Sequence, residues 1–138
     1  GTTFTDTGLT NGQTYYYAVS ALNAIGEGNR STERSASLSA PATVPGTPRN
    51  VTATTNSTKG INLAWQAPTS NGGSAITQYR IYRSTTSGTE TLLTSVSGTT
   101  LTYRDTSSKR GTTYFYVIRA VNSVGVGPNS SEVSAVAR

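Results

Sequence analysis

Six carboxylates, Asp6, Glu27, Glu33, Glu90, Asp105 and Glu132, are the side chains of this 138-residue chain best suited to acid–base work. They have little to work with. The chain contains no His, no Cys and no Met. That excludes a Ser-His or Cys-His nucleophile pair and a histidine that titrates near neutral pH. It also excludes soft zinc, haem and iron–sulfur sites, and any disulfide. Two carboxylates could hydrolyse a glycosidic bond if they stood about 5–10 Å apart. However, Asp6 and Asp105 are equivalents in an internal repeat, as are Glu33 and Glu132. Equivalent positions sit about a domain length apart. The sequence therefore predicts no catalytic residue, no cofactor and no metal site.

Binding chemistry has more candidates. Asn29, Asn50, Asn56 and Asn129 each open an Asn-X-Ser/Thr triplet, the acceptor pattern for N-glycosylation. Nine Asn in a chain that is one-third Ser or Thr (44 residues) yield about three such triplets from composition alone. Eight Tyr, two Phe and one Trp could stack on sugar rings. Period-2 alternation points Tyr82, Phe115 and Tyr16 outward. Tyr82 and Phe115, flanked by Arg80 and Arg119, are expected to share a sheet face as a patch for a partner or a neighbouring module. Ordinary cross-strand pairing on a solvated face is the simpler reading. Eleven Lys+Arg against six Asp+Glu give a net charge of +5, and only Lys109-Arg110 are adjacent. Without a basic stripe, no nucleic-acid partner is expected. No run of 18 apolar residues exists, so no membrane span is expected in this segment.

The elements that position these residues come from a repeat. Thr3–Ala36 aligns with Thr102–Ala135 at a constant offset of 99, and 15 of the 34 positions are identical. Tyr15/Tyr114, Tyr17/Tyr116, Asn23/Asn122 and Gly28/Gly127 are among them. Such a period fits a whole small domain. Ile61-Asn-Leu-Ala-Trp65 alternates apolar and polar, as do Tyr79-Arg-Ile-Tyr82 and Tyr114 to Ala120. Turn signals such as Ser-Thr-Lys-Gly60, Asn-Gly-Gly73 and Lys-Arg-Gly111 separate the runs at 8–12-residue spacing. Seven short strands at that spacing argue an all-β sandwich.

Residues 46–138 resemble a fibronectin type III domain over their whole length. The resemblance is carried by Pro48, Trp65-Gln-Ala-Pro68, Asn71-Gly-Gly73, Tyr79-Arg-Ile-Tyr-Arg83, Gly111-Thr-Thr-Tyr114 and the run to Asn122, Gly125, Gly127 and Ser130. It implies a seven-stranded immunoglobulin-like β-sandwich. Trp65 is then in a core shared with Tyr79, Ile81, Tyr114, Tyr116 and Ile118. Tyr114 is the tyrosine corner, its hydroxyl bonding back to the preceding loop. The family pattern has Leu six residues before that Tyr; Leu9 obeys, but Ser108 stands in the second copy. The packing of the 106–111 loop is where the resemblance departs.

Residues 1–40 match only the last three strands of the same domain, expected at Gly1–Asp6, Thr14–Asn23 and Arg34–Ala40. Such a half copy exposes Tyr15, Tyr17, Val19 and Ala21 on an open core face, at roughly 1.5–3 kcal/mol each. The expectation is that the chain is a piece of a longer one, or that a different partner chain supplies the missing strands. Residues 41–48, with three prolines, read as a semi-rigid linker. The functional expectation is a tandem, non-catalytic module of a secreted or cell-surface protein. It would act as a spacer, an adhesin stalk, or a building block of a surface layer or filament. Accessory linker modules of extracellular polysaccharide-degrading enzymes and carbohydrate- or protein-binding modules are the alternatives. Neighbouring modules of the same chain are the expected partners, with other surface proteins or polysaccharide beyond them.

Overall fold

A computed structural model describes residues 1–138, and the chain divides into two compact units, Gly1–Pro41 and Ala42–Arg138. Every regular element is a β-strand. The smaller unit has β1 (Thr14–Tyr17) and β2 (Arg34–Ser37), paired antiparallel. The larger has β3 (Arg49–Thr55), β4 (Ile61–Gln66), β5 (Gln78–Ser84), β6 (Thr91–Ser97), β7 (Thr102–Asp105), β8 (Thr113–Val121) and β9 (Val133–Val136). These form two antiparallel sheets, ordered β3-β4-β7 and β6-β5-β8-β9.

The sandwich follows from the alternation in its strands. In β4, Ile61, Leu63 and Trp65 are buried while Asn62 and Gln66 are exposed. In β5, Tyr79 and Ile81 are buried, and in β8 Tyr114, Tyr116, Ile118 and Ala120. These two inner faces meet as one core, with Trp65 edge-on to Tyr79 at 5.5 Å between ring centroids and 65° between planes. The register sets which residues meet: Tyr79 opposes Ala120 and Ile81 opposes Ile118. A large ring thus faces a small side chain in the next strand. The edge strand β3 shifts register between Arg49 and Thr52, where Asn50 takes a positive φ of 49° that asparagine tolerates.

The loop at Ser108 closes by a different device from a leucine anchor. The Ser108 side chain is buried and its Oγ donates to the Asp105 carbonyl at 3.1 Å. The Tyr114 hydroxyl accepts from the Lys109 N–H at 3.1 Å, so the tyrosine corner forms without the leucine.

In the smaller unit the strands are shorter than expected, and one is missing. Residues 1–6 form no strand, β1 stops at Tyr17 rather than Asn23, and β2 stops at Ser37. The reason is ladder partners. In the larger unit β7 pairs with β4, and β8 is extended by β5 along Phe115–Val121. Its pairing with β9 covers only Thr113–Tyr116. Residues 14–17 are the equivalents of that last ladder. With no counterpart of β4 or β5, only the hydrogen bonds to β2 remain, and β1 has the length they allow.

Candidate functional site

The outer face of the β6-β5-β8-β9 sheet holds the expected aromatic–arginine patch. Tyr82, Phe115, Arg80 and Arg119 all lie on it, and all four are half-buried. Tyr82 directly opposes Val117, and Phe115 opposes Ser84, so the two rings are diagonal neighbours. Arg80 and Arg119 oppose one another. Two guanidinium groups on facing positions repel. Arg119 is drawn aside: its Nε donates to the Gly127 carbonyl at 2.7 Å and its guanidinium lies 5.8 Å from the Tyr82 ring centre. Val117 is buried between these groups, although it points away from the core. The patch is therefore a compact, cation-edged apolar strip. Tyr16 is strongly exposed in the smaller unit.

The four glycosylation triplets differ in how free their amides are. Asn29 and Asn129 are exposed. The Asn50 Nδ2 donates to Gln66 Oε1 at 2.9 Å. Asn56 is fully engaged: its Nδ2 donates to Asn62 Oδ1, while its Oδ1 accepts from the N–H groups of Thr58 and Lys59 and from Arg104 Nη2.

Two clusters escaped the reading of the sequence. The first joins the lead-in segment 42–48 to the module. Asn122 is buried, and its Nδ2 donates to the carbonyls of Thr43 at 2.7 Å and Asn71 at 2.9 Å. Its Oδ1 accepts from the N–H groups of Val124 and Gly125. Thr43 N–H donates to Gly72 O and Gly46 N–H to Ser70 O, and Pro45 is fully buried. Gly72 has φ +73°, and a Cβ there would lie 2.1 Å from the Thr43 carbonyl oxygen. One signal was available: Asn122 is identical to Asn23 in the repeat.

The second cluster is a buried ion pair. Asp105 is wholly buried, with Arg83 Nη1 at 2.6 Å from its Oδ2. The Tyr116 hydroxyl donates to the same oxygen at 2.8 Å, and Ser107 donates from both its N–H and its Oγ. Every acceptor position is used, so the carboxylate is a strut with nothing left over for substrate. Elsewhere, Glu132 accepts from Ser87 Oγ and Gly88 N–H, and Gly88 N–H also reaches Glu90. No group of three or more acidic side chains is placed to hold a metal ion, and no helix is long and apolar enough to cross a membrane.

Two sheets of three and four strands, a Trp–Tyr core and a tyrosine corner define an immunoglobulin-like sandwich module. The family model for the fibronectin type III domain matches residues 46–136. The chain belongs to that family. It is 33% identical to exoglucanase B of Cellulomonas fimi over 96% of this chain, and it spans 12% of that relative's length. Among solved structures it is similar to a Fn3-like protein from Clostridium thermocellum, at TM-score 0.57 and 31% identity over 67% of this chain and 92% of that one. It is also similar to domains A168-A170 of titin, at TM-score 0.64 and 26% identity, covering 94% of this chain and 42% of that one.

Proposed function

We propose that the chain is a non-catalytic spacer segment of a longer, extracellular or cell-surface protein, working through the geometry of its junctions. The observation that carries this reading is the anchoring of residues 42–48. A segment held by Asn122, Gly72 and a buried Pro45 cannot swing freely where it joins the module. Prolines at positions 41, 45 and 48 stiffen it further. The partners of such a segment are neighbouring modules of the same chain. The Asp105 carboxylate, enclosed by Arg83, Tyr116 and Ser107, supports the non-catalytic reading.

The setting best supported is an enzyme that attacks insoluble polysaccharide, since a relative is named an exoglucanase. Such polymers are met outside the cell. The test is deletion of residues 42–138 from a parent chain containing a catalytic domain. Turnover of a soluble oligosaccharide should be unchanged, while release of sugar from insoluble polymer should fall. Equal losses on both substrates would refute the spacer reading. A stalk or surface-layer role is the second reading, favoured by the likeness to consecutive titin domains. The Tyr82/Phe115 strip supports a third, a ligand-binding module. Tyr82→Ala with Phe115→Ala, assayed by co-sedimentation with cellulose and chitin, decides it. Unchanged sedimentation ends that reading.

A further inference from the structure

A β-bulge, as well as alternation, builds the strip on the outer face of the four-stranded sheet. In β6, Thr94 opposes Ile81 and Val96 opposes Tyr79, so both take the inward side. Leu92 has the same parity and would follow them in a regular strand. Instead the register shifts between Ile81 and Tyr82. Leu93 is left without a partner in β5 and packs on the core, and Leu92 comes opposite Tyr82. A bulge re-aims a side chain in this way. Leu92 is 53% exposed, and with Tyr82 and Val117 it makes one apolar row across three strands.

The neighbouring rows are polar. On one side, about 7 Å along the strands, stand Ser95, Arg80 and Arg119. The one ion pair of the chain is Arg83–Asp105, so neither Arg80 nor Arg119 meets a carboxylate. Facing like charges destabilise a sheet. An anion held between them would turn that repulsion into two charge-assisted contacts. On the other side of the apolar row, Phe115 is flanked by the hydroxyl groups of Ser84 and Ser134.

We propose that this face binds a polysaccharide of hexuronic acids. The C–H face of a sugar ring lies on Leu92 and Tyr82, and its carboxylate sits between Arg80 and Arg119. The proposal rests on the reading of the strip as a ligand-binding surface and names the ligand class. Charge complementarity sets the sign: two guanidinium groups without a carboxylate call for an anion, and arginine offers a carboxylate a fork of donors. The rows set the shape. The anion must be carried on a flat scaffold with an apolar side, and serine hydroxyls wait beyond it. A uronic acid ring has C–H groups on one face, hydroxyls around its edge and a carboxylate on C5. A protein partner would instead anchor a bulky side chain in a pocket, and the centre of this face is already filled by Val117, which is buried.

The test is calorimetric titration of the 138-residue chain with four ligands of equal length: oligogalacturonate, its methyl ester, a cello-oligosaccharide and oligoglutamate. Oligogalacturonate should bind tightest. The ester and the cello-oligosaccharide keep the stacking but lose the ion pairs, and should bind about tenfold more weakly or worse. Arg80→Gln should weaken oligogalacturonate about tenfold, and so should Leu92→Asn or Tyr82→Ala. Arg110→Gln removes the same charge from an exposed loop position and should change little. Slow amide exchange at Tyr116 and Ile118 reports that each variant is folded, and Leu92, being half in solvent, can be changed without opening the core. Equal affinity for the acid and its ester would overturn the carboxylate contact while leaving a ligand-binding strip. Equal affinity for oligoglutamate would overturn the choice of a sugar. Equal losses from Arg80→Gln and Arg110→Gln would reduce the binding to net charge and overturn the site. Binding of none of the four would overturn the ligand-binding reading together with the proposal.

Discussion

Arg83 Nη1 donates to Asp105 Oδ2 across 2.6 Å, and the two residues belong to different sheets. Arg83 is the penultimate residue of β5 in the four-stranded sheet; Asp105 ends β7 in the three-stranded one. Their bond ties the two layers together at one end of the sandwich. Tyr116 and Ser107 complete the carboxylate's shell, so its charge is fully compensated although it is out of water.

Removal of one partner should be costly. Asp105→Ala leaves the Arg83 guanidinium and the Tyr116 hydroxyl without their acceptor, and should destabilise the module by about 3–5 kcal/mol. Arg83→Met should also destabilise it. The double variant should lose less than the sum of the two, because the second change removes a charge already orphaned. Urea unfolding of the four proteins measures the cycle, and strict additivity would contradict the coupling.

Stability should be flat across neutral pH and fall at both extremes. Burial alone would raise the Asp105 pKa. The hydrogen bonds from Ser107, Arg83 and Tyr116, and the Arg83 charge, outweigh it and hold the carboxyl below its ordinary range. The unfolded chain therefore takes up this proton first, near pH 3.9 or so (about 3.9 in model peptides). Below about pH 5 it binds more protons than the fold, and stability drops with falling pH. Burial, then the hydrogen bond and charge of Asp105, raise the Tyr116 pKa; burial also raises that of Tyr79. Above about pH 10 the unfolded tyrosines lose protons that the fold retains, and stability drops with rising pH. With no histidine in the chain, a thermal-unfolding series should show no step between about pH 6 and 8.

Much of the fold was legible because it rests on local alternation. Ile61, Leu63 and Trp65 announce a strand by spacing alone, whereas the corner at Tyr114 is what the resemblance to the fibronectin type III pattern implies. The ion pair was not legible. Arg83 and Asp105 stand 22 residues apart, and neither strand's periodicity says which polar end meets which across two sheets. Nor did composition show that Asn122 reaches back 79 residues to Thr43. The sequence puts Tyr82 and Phe115 on one sheet face without fixing which residue stands opposite each. The register is dictated by the inner pairs Tyr79–Ala120 and Ile81–Ile118, which force Val117 opposite Tyr82. Residues 1–6 match β7 in the repeat and form no strand, because a strand is a property of two segments and residues 7–41 hold no equivalent of β4.

Two buried tyrosines should respond oppositely to loss of the hydroxyl. Tyr116 donates to Asp105, so Tyr116→Phe should cost about 1–3 kcal/mol. The Tyr79 hydroxyl is buried and has no hydrogen-bond partner, as is the Trp65 Nε1 beside it. Tyr79→Phe removes a polar group that gains nothing, and should leave stability unchanged or raise it. Equal losses from the two variants would mean that the Tyr79 hydroxyl is satisfied in solution by a buried water.

The anchoring of the lead-in segment should be separable from the fold of the module. Asn122→Ala removes two donors to the carbonyls of Thr43 and Asn71, and the acceptor for Val124 and Gly125. Its expected cost is about 2–4 kcal/mol, shared between the 122–127 turn and the segment. Gly72→Ala acts on the segment from the other side. Its methyl group would meet the Thr43 oxygen at 2.1 Å and the Val44 oxygen at 2.6 Å, at a φ that favours glycine. The segment must then move away, while the core at Trp65 and Tyr79 is untouched. Both variants should accelerate amide exchange at Thr43 and Gly46 and expose residues 42–48 to proteolysis. Exchange at Tyr79 and Ile118 should stay slow in Gly72→Ala. If Thr43 remained protected in both, residues 42–48 would be held by the burial of Pro45 and Pro48 alone, and the stiffness of the junction would rest on proline rather than on Asn122.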